Sequence, residues 1–531
     1  MVKLPDGYEF GEQGLFREGK QISNFLIYPT VLYQRQGEQF PFAADLEVRQ
    51  GANLVSLSKV TLQALNGEWW KSPPPGCWYA PHQRRPDRDL AAIFQYCIPG
   101  TPTVEVIQAE KIGWLTLPSG RSIYVTGNSV IGLPEGEENV WSPPHLERLK
   151  FEASSGCTLE AALNYFWGLF NLIPKLTDIL LVYTLSSFLS PVFREAGLIS
   201  RFPIILEGPT ESKKTTLACL TCGVFQRESD LRSCVASLTS TRCALEIRAK
   251  EMRHAPLIVD DLFPDGGCLQ QSKALNLIRN LANQDARESM SGKAIVGNKM
   301  DCGIVITAEF FPRCERSTRT RCLRLKLRDR ISNAVLHPFQ EDPAQLTPVF
   351  EAFIGSVSGQ YQSLVVKIAT DFKNYRSRRS QADASLVPSE RLAEIGFFLY
   401  ETLDIFLQLF PQEQAEVILW QFQNELNVWL RWQLSSEAAP NLRADISANI
   451  LRLGQHPKYG QAFQKHCGIW RIDPDILCSL LREELQDPTI ERQSVINFLR
   501  DCGALLMDKS GAATKKVKGR RLLHILPERL H

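Results

Sequence analysis

The spacing of hydrophobic and polar residues changes twice along this chain. Between residues 25 and 130, short β-branched and aromatic runs, such as Phe25-Leu-Ile-Tyr-Pro and Ser122-Ile-Tyr-Val, are separated by glycine and proline. This pattern predicts β-strands. From 158 to 193 the apolar residues follow helical spacing, with an interruption at Pro174. We therefore expect a β-rich domain followed by helices, with a linker rich in glycine, proline and glutamate at 132–144.

From about residue 201, apolar strands alternate with helical segments, which is typical of a parallel sheet with crossover helices. The predicted strands are 203–207, 256–260, 302–307 and 322–327. Further along, 349–434 predicts helices with a polar break at 376–388. Helices at 476–485 and 491–502, followed by two strands around Ser510-Gly511, predict a C-terminal winged helix.

Length and charge narrow the class of protein. A chain of 531 residues with 44% hydrophobic residues is too long for one core and too apolar for disorder, and it predicts roughly three or four domains. The 60 Lys and Arg residues against 58 Asp and Glu residues leave a net charge of +2. This balance excludes a uniformly basic coat, so binding to DNA would require local basic patches.

The sequence also predicts a cytoplasmic protein without a membrane segment. Residues 1–10 lack the basic end and the apolar run of a signal peptide. The apolar stretch 179–193 is shorter than the ~20 residues of a transmembrane helix and predicts a buried core helix. The 14 cysteines are scattered, which indicates reduced thiols.

The main chemical signal follows the first strand of the predicted parallel sheet. The strand runs into Gly208-Pro-Thr-Glu-Ser-Lys-Lys-Thr-Thr216 and then into an apolar helix, which is the layout of a P-loop. Backbone N–H groups of such a loop cradle phosphate, Lys214 is expected to reach the β- and γ-phosphates, and Thr215 is expected to hold Mg²⁺. The candidate ATP-binding residues are Gly208, Pro209, Thr210, Glu211, Ser212, Lys213, Lys214, Thr215 and Thr216.

One residue departs from the motif, because Lys213 stands where a P-loop has its second glycine. The backbone turns tightly there, which favours a residue without a side chain. An ordinary strand-to-helix turn capped by Thr and Ser is the alternative interpretation.

A second acidic motif strengthens the P-loop prediction. Ala255-Pro-Leu-Ile-Val-Asp260-Asp261 is an apolar strand that ends in two acids, the layout of a Walker B segment. We expect Asp260 to hold the Mg²⁺ and Asp261 to activate the attacking water. Asp261 is one methylene shorter than the Glu that is common at this position, and a simple acidic turn is the alternative.

Two further groups complete the candidate site. Thr307 and Glu309 follow another apolar strand, at the end that faces the ligand in such sheets, and are candidates to sense the γ-phosphate. The segment 313–330 holds eight cations and two acids, a balance of +6, and a solvated basic face is its usual explanation. Arg319 and Arg321 lie before the last strand, where ring ATPases place an arginine finger for the neighbouring subunit.

In their order and spacing these motifs resemble one family, the AAA+ (MCM-like) helicase/primase-associated ATPases of bacterial integrative elements, which include the staphylococcal cassette chromosome helicases. The matching motifs are Gly208-Pro-Thr with Lys214-Thr215, Leu238-Thr-Ser-Thr241, Val259-Asp260-Asp261, Thr307-Ala-Glu309 and Ser317-Thr-Arg319-Thr-Arg321. Gly113-Trp114 and Tyr124-Val125 also look like the β-rich domain of that family.

The resemblance implies a multidomain α/β protein with four parts. These are a β-rich N-terminal domain at 1–150, a P-loop AAA+ ATPase core at 151–345, a helical lid or linker at 346–450 and a winged helix at 451–531. It further implies an ATP- and Mg²⁺-dependent DNA helicase or translocase. Such a protein would act as a hexameric ring in replication of a mobile element, with single-stranded or forked DNA and a primase among its partners. A nucleotide-gated DNA-binding or helicase-loading ATPase is the alternative.

Two basic segments are candidate DNA contacts. The stretch 287–299 is predicted to form a hairpin that such helicases project into the ring channel, with Arg287, Lys293 and Lys299 as contacts. The wing supplies Lys515, Lys516, Lys518, Arg520 and Arg521. The alternatives are a solvated surface hairpin and a wing that contacts only protein.

Two other patterns favour structural interpretations. Cys219 and Cys222 form a CxxC without the second pair that zinc needs, which predicts buried thiols. Four tryptophans could stack on bases, but aromatic core of the β-rich domain is the preferred interpretation for Trp69, Trp70, Trp78 and Trp114.

Overall fold

The chain was analysed as a computed structural model. It describes all residues except 1–5, 36–37, 39, 62–74, 79–99, 135–138, 199–200, 264–266, 284–286, 292–293, 299, 313, 315, 382–388, 436–441, 458, 485–491, 508–512, 518–519 and 531. The strands are β1 Tyr8–Gly11, β2 Gly14–Arg17, β3 Lys20–Gln21, β4 Leu26–Arg35, β5 Pro41–Gln50, β6 Asn53–Thr61, β7 Thr103–Gln108, β8 Gly113–Thr116, β9 Ser122–Val125, β10 Val130–Ile131, β11 Asn139–Trp141, β12 Ile204–Glu207, β13 Ala236–Ser237, β14 Pro256–Leu262, β15 Arg287–Ser291, β16 Ala294–Asn298, β17 Gly303–Ala308, β18 Leu323–Lys326, β19 Gln464–His466, β20 Ile469–Ile472, β21 Thr514–Val517 and β22 Arg520–Ile525.

The α-helices are α1 Leu159–Phe170, α2 Thr177–Glu195, α3 Lys214–Cys222, α4 Arg242–Glu251, α5 Gly267–Asn283, α6 Arg316–Arg319, α7 Asn333–Gln340, α8 Thr347–Gln381, α9 Glu390–Leu409, α10 Ala415–Ser435, α11 Leu442–Gln455, α12 Pro474–Glu484 and α13 Arg492–Asp501. The multidomain α/β class predicted from the sequence is confirmed.

The N-terminal region is β-rich, as predicted. Its largest sheet has the order β11-β7-β4-β5-β6, in which β4, β5 and β6 are antiparallel neighbours and β7 runs parallel to β4. The predicted linker at 132–144 is wrong in part, because β11 lies inside it and pairs in parallel with β7. The burial of Trp141 against Phe42, with ring centres 4.8 Å apart, explains why this polar stretch joins the sheet.

A five-stranded parallel sheet forms the centre of the molecule, with the order β13-β14-β17-β12-β18. It contains all four strands predicted from the sequence, and their apolar residues are buried in the main core. The fifth strand, β13, has only two residues, too few for a periodic signal. Because the strands are parallel, their carboxyl ends meet at one edge of the sheet.

Helix α2 is the predicted core helix. All of its residues from Thr177 to Leu189 are buried, and it packs against α3, α8 and α9. Within the described ranges, no helix has the length and apolar character needed to cross a bilayer. The polar break predicted at 376–388 begins too early, because α8 continues to Gln381 and carries Arg376 and Arg378 on its last turns.

The C-terminal segment has a hydrophobic core of its own. Helices α11, α12 and α13 pack with the four-stranded sheet β19-β20-β22-β21 around Trp470, Leu481 and Leu523. Both predicted helices are confirmed. The two strands β21 and β22 flank residues 518–519 rather than Ser510-Gly511, so the predicted position of the turn is wrong by several residues.

The small sheet β10-β9-β8 is attached to the parallel sheet. Trp114 and Tyr124 are buried in the main core, where the indole Nε1 of Trp114 donates to the Phe188 carbonyl at 2.7 Å. The interpretation of Trp114 as core aromatic is thereby confirmed. For Trp78 the same interpretation is wrong, because its side chain is exposed, and Trp69 and Trp70 lie outside the described residues.

Candidate functional site

The loop that follows β12 is pinned to the edge of the parallel sheet. The Gly208 amide donates to the Ala308 carbonyl at 3.0 Å, and a Cβ on Gly208 would lie 2.8 Å from the Leu327 carbonyl oxygen. A side chain at Gly208 is therefore excluded by the neighbouring strand ends. The loop passes directly into α3, so its backbone amides and the start of that helix face the same space.

Lys213 occupies the position at which a P-loop has its second glycine, and its backbone is strained. Its φ is 73° and its ψ is 24°, a left-handed conformation that costs an L-residue roughly 1–2 kcal/mol. The missing glycine is thus accommodated by strain at this residue. Non-glycine residues in this conformation concentrate at functional sites, where the surrounding structure holds them.

The side chains predicted to bind Mg²⁺ and phosphate meet at this edge. The Thr215 hydroxyl donates to Asp260 Oδ1 at 2.7 Å, and the Thr307 hydroxyl donates to the same oxygen. The Lys214 ammonium group donates to the Pro209 carbonyl at 2.7 Å, within its own loop. Thr215 and Thr307 are therefore both in direct contact with Asp260, from which they are 45 and 47 positions apart in the sequence.

A β-bulge directs both acids of β14 towards this site. Val259 pairs with Ile306 and Leu262 pairs with Ala308, so that two residues of β14 face the single residue Thr307 of β17. Asp261 has a φ of 73°, and its amide lies 3.4 Å from the Thr307 hydroxyl. Successive residues of a regular strand point to opposite faces, whereas the bulge lets Asp260 and Asp261 line the same cavity.

Burial and charge shift the pKa of two of these groups. Burial raises the pKa of Asp261 above its usual range, and the charges of Asp260 and Glu309 raise it further. Burial lowers the pKa of Lys214, against the opposing effect of Glu309 and the two aspartates. Such shifts bring both groups closer to the pH range in which they can exchange protons.

Glu309 and Thr210 connect the far end of the loop to β17. The Thr210 hydroxyl donates to Glu309 Oε1 at 2.8 Å, and the Glu309 amide donates to the Leu262 carbonyl at 2.8 Å. Both candidate γ-phosphate sensors, Thr307 and Glu309, therefore line the same space as the loop. The loop residue Glu211 forms an exposed ion pair with Arg330, which follows β18.

The cavity enclosed by these residues has a volume of about 340 Å³. Its chemistry fits a magnesium–nucleotide complex in two respects. The buried Ser212 hydroxyl has no hydrogen-bond partner in the described structure, although it lines the cavity. Thr215 and Asp260 offer the oxygen ligands that Mg²⁺ prefers, and Mg²⁺ usually takes only one or two protein ligands besides phosphate and water. Across the described part of the chain, no group of three or more His, Cys, Asp or Glu side chains forms a metal site.

The basic segment 313–330 is not a uniform solvated face. Arg324 donates to both carboxylate oxygens of Glu207 at 2.7 and 3.2 Å, and it stacks on Phe311 and Trp432 at 4.4 and 5.0 Å. This correction follows from the position of Arg324 on β18, next to the strand that ends at Glu207. Arg319, the last residue of α6, and Arg321, which follows the helix, are half-buried and do not line the cavity of their own chain.

The two segments proposed to contact DNA form the expected hairpins. β15 pairs antiparallel with β16, beginning at Arg287, and β21 pairs with β22, where Lys516 faces Arg521. Lys515 is half-buried and Arg521 is exposed, while Arg520 begins β22. Lys293, Lys299 and Lys518 lie outside the described residues.

Cys219 and Cys222 are buried in α3, and burial raises their pKa to about 12 and about 11. This confirms the prediction of buried thiols. Sequence reasoning missed Arg232, which lines the cavity and lies 3.5 Å from the Thr216 hydroxyl. No motif marks it, because it follows α3 in an irregular loop.

Together, the strand, the loop, the helix and the acidic strand end have the architecture of a P-loop protein on a parallel sheet. Over its full length the chain superposes on the structure of the SCCmec type IV Cch active helicase, with 100% of each chain covered, a TM-score of 0.51 and 12% identity. The resemblance to the staphylococcal cassette chromosome helicases is therefore confirmed at the level of the fold.

Other comparisons add little to this likeness. Two structures of JCV helicase, one with a bound acetamide compound, align with 42% and 43% of this chain and with 65% and 64% of theirs. Their identities are 14% and 13%, and their TM-scores of 0.25 and 0.23 are too low to indicate a shared fold. No family model matches the sequence, and no curated protein matches it either.

Proposed function

We propose that this protein is an ATP-dependent DNA helicase or translocase that acts as an oligomeric ring in replication of a mobile genetic element. The observation that carries the proposal is the convergence of Lys214, Thr215, Asp260 and Asp261 on one cavity at the carboxyl edge of a parallel sheet. The fold shared with a helicase supports it further. Its place of action would be the cytoplasm.

Each residue of the cavity has a distinct task in this proposal. Loop amides and Lys214 bind and orient the phosphates, while Thr215 and Asp260 hold Mg²⁺. Held there, Mg²⁺ would supply positive charge to offset the negative charge of the transferred phosphoryl group. Asp261 accepts the proton of the attacking water, a role that suits a carboxylate with a raised pKa. Glu309 and Thr307 report the state of the γ-phosphate to β17.

The proposed ring explains why the two candidate arginine fingers lie outside the cavity of their own chain. Arg319 or Arg321 would enter the neighbouring subunit's site and stabilise charge there. The proposed domains are the β-rich part at 1–150, the AAA+ core at 151–345, a helical lid at 346–450 and a winged helix at 451–531. The separate hydrophobic core around Trp470 supports a separate C-terminal domain, and α11, which contributes Ile450 to that core, belongs with it.

In this arrangement, DNA would contact the hairpin of β15 and β16 through Arg287, Lys293 and Lys299. The hairpin of β21 and β22 would contribute Lys515, Lys516, Lys518, Arg520 and Arg521. Contacts of this kind to phosphates give an affinity that falls with salt and depends little on sequence. A primase of the same element would be a partner at the fork.

Lys214→Ala tests the proposal most directly. We expect DNA-stimulated ATP hydrolysis to fall by about 10³-fold, because positioning and charge stabilisation account for nearly all of phosphoryl-transfer catalysis. Release of phosphate, with and without single-stranded DNA, is the measurement. Arg391→Ala, an exposed site at the start of α9, serves as control and should keep full activity. Robust turnover by the Lys214→Ala protein would exclude this ATPase site.

A second function, a nucleotide-gated DNA-binding or helicase-loading ATPase, is favoured by two observations. Strain at Lys213 and a short Asp at position 261 both suit slow turnover. Strand displacement on a forked DNA separates the two functions. A loader binds the fork in ATP without unwinding it, whereas a helicase releases the displaced strand.

A further inference from the structure

Arg232 lies at the phosphate cavity although it belongs to no motif. The chain leaves α3 at Cys222 and returns, so that Arg232 Nη2 is 3.5 Å from the hydroxyl of Thr216. Among the described residues that line the cavity it is the one arginine, and its side chain is exposed. We propose that Arg232 is a nucleotide-binding residue that contacts the α-phosphate in cis. This inference rests on the function proposed above.

The charges of the cavity fall into two groups. Glu309 lies close enough to the other two charged side chains to oppose the lowering of the Lys214 pKa and to raise the pKa of Asp261. Arg232 acts elsewhere. Burial raises the pKa of the Cys219 thiol to about 12, and Arg232 is the group that opposes this most. Cys219 lies one turn beyond Thr216 on α3, so both observations place Arg232 beside the first turns of that helix.

The position of Arg232 indicates which phosphate of a bound nucleotide it would contact. In a P-loop the lysine reaches the β- and γ-phosphates, while the loop and the helix start cradle the α- and β-phosphates. Thr216 follows Lys214 and Thr215 on α3, so its surroundings face the α-phosphate. A guanidinium group offers paired donors to phosphate oxygens, and the long contact to Thr216 leaves the exposed side chain able to reach them.

The α-phosphate is common to ADP and ATP and takes no part in the bond that breaks. Loss of Arg232 should therefore weaken the binding of ADP and of ATP to the same extent. It should also raise KM without a matching fall in kcat. Loss of a contact to the γ-phosphate would have a different effect, because it would weaken the binding of ATP alone and lower kcat. The two positions are therefore distinguishable by experiment.

The experiment measures binding of ADP and of ATP to the full chain by titration calorimetry, together with steady-state ATP hydrolysis. For Arg232→Ala we expect about tenfold weaker binding of both nucleotides and kcat within about twofold of the parent. Arg232→Lys should recover part of the affinity, because it keeps the charge and loses the paired donors. Arg391→Ala is the matched control for loss of an exposed arginine.

Two results would overturn the role of Arg232. One is unchanged affinity of Arg232→Ala for both nucleotides, and the other is a loss confined to ATP with a fall in kcat. In both cases the parent protein still binds and hydrolyses ATP, so the proposed function survives. If the parent binds neither nucleotide, the proposed function fails and the role of Arg232 fails with it.

Discussion

The two ends of strand β14 use similar backbone strain for opposite purposes. At the amino end, His254 has a φ of 60°, and at the carboxyl end, Asp261 has a φ of 73°. His254 is completely buried, its Nδ1 accepts from the Trp114 amide at 3.0 Å, and its carbonyl accepts from the Tyr124 hydroxyl at 3.1 Å. Asp261 instead lines an open cavity.

The difference lies in what surrounds the strained residue. Around His254 the space is filled by β8 and β9, and a Cβ on Gly113 would lie 2.7 Å from both His254 Nδ1 and the Arg253 carbonyl oxygen. The strain there fixes the N-terminal sheet to the parallel sheet. Asp261 instead lines a cavity together with Lys214, Asp260 and Glu309, so the same strain holds a carboxylate where a ligand can reach it. A strained backbone packed against other residues therefore has a structural role here, whereas a strained backbone that lines a cavity belongs to the candidate site.

The strongest test of this contrast places one substitution at each end. Asp260→Asn should lower ATP hydrolysis by about 10³-fold, because it removes the charge proposed to hold Mg²⁺. Asp301 lies at the amino end, where burial raises its pKa but Arg201 outweighs this and lowers it. Asp301→Asn should therefore reduce the free energy of unfolding and leave kcat of the folded protein nearly unchanged. Phosphate release and urea unfolding measure the two effects.

The proposed difference between the two ends of β14 is wrong if Asp260→Asn spares ATP hydrolysis or if Asp301→Asn abolishes it without loss of stability. Asp260→Asn with parental turnover, or Asp301→Asn with parental stability and lost turnover, would show that the two ends are not specialised. A mild stabilisation by Asp260→Asn is compatible with the argument, because neighbouring acids repel one another.

A second test removes the close contact at the amino end. Gly113→Ala should lower the free energy of unfolding by about 3 kcal/mol, because it adds a backbone penalty and a steric clash. Gly100→Ala is a matched control, since Gly100 also has a φ of +100° but no atom lies within 4 Å of its added Cβ. Urea unfolding of both variants separates the two contributions. Equal destabilisation would mean that the contact between Gly113 and His254 is unimportant.

The sequence predicted the residues of the candidate nucleotide site, but it did not predict the contact between β8 and His254. Lys214, Thr215 and Asp260 belong to local motifs at the ends of apolar strands, so the order of elements was enough to bring them together. The bulge that turns Asp261 depends on its pairing with β17, which no local pattern encodes. Trp114 and His254 are 140 residues apart, and Arg232 lies in an irregular loop. These contacts follow from tertiary packing, on which hydrophobic period carries no information.

The smallest predicted effect concerns pH at the amino end of β14. Burial lowers the pKa of His254 well below its usual value, and Arg253 lowers it further. The neutral imidazole therefore stabilises the fold above about pH 6.5, and this contribution is lost as the pH falls below that value. Because of His254, the free energy of unfolding should decrease by at most about 1.4 kcal/mol for each pH unit below about 6.5.

His254→Asn isolates this contribution. Asn tolerates the left-handed backbone, and its side-chain oxygen can accept from the Trp114 amide, yet it does not titrate. The variant should lose some stability at pH 7.5 and show a shallower decline than the parent protein between pH 6.5 and 5.5. Parallel pH profiles of the two proteins would assign the decline to other groups and leave His254 with a packing role only. The pH dependence of Asp261 lies at the opposite end of the same strand and should be unaffected. Arg253 and Asp301 act on the pKa of His254, whereas Asp260, Glu309 and Lys214 act on that of Asp261.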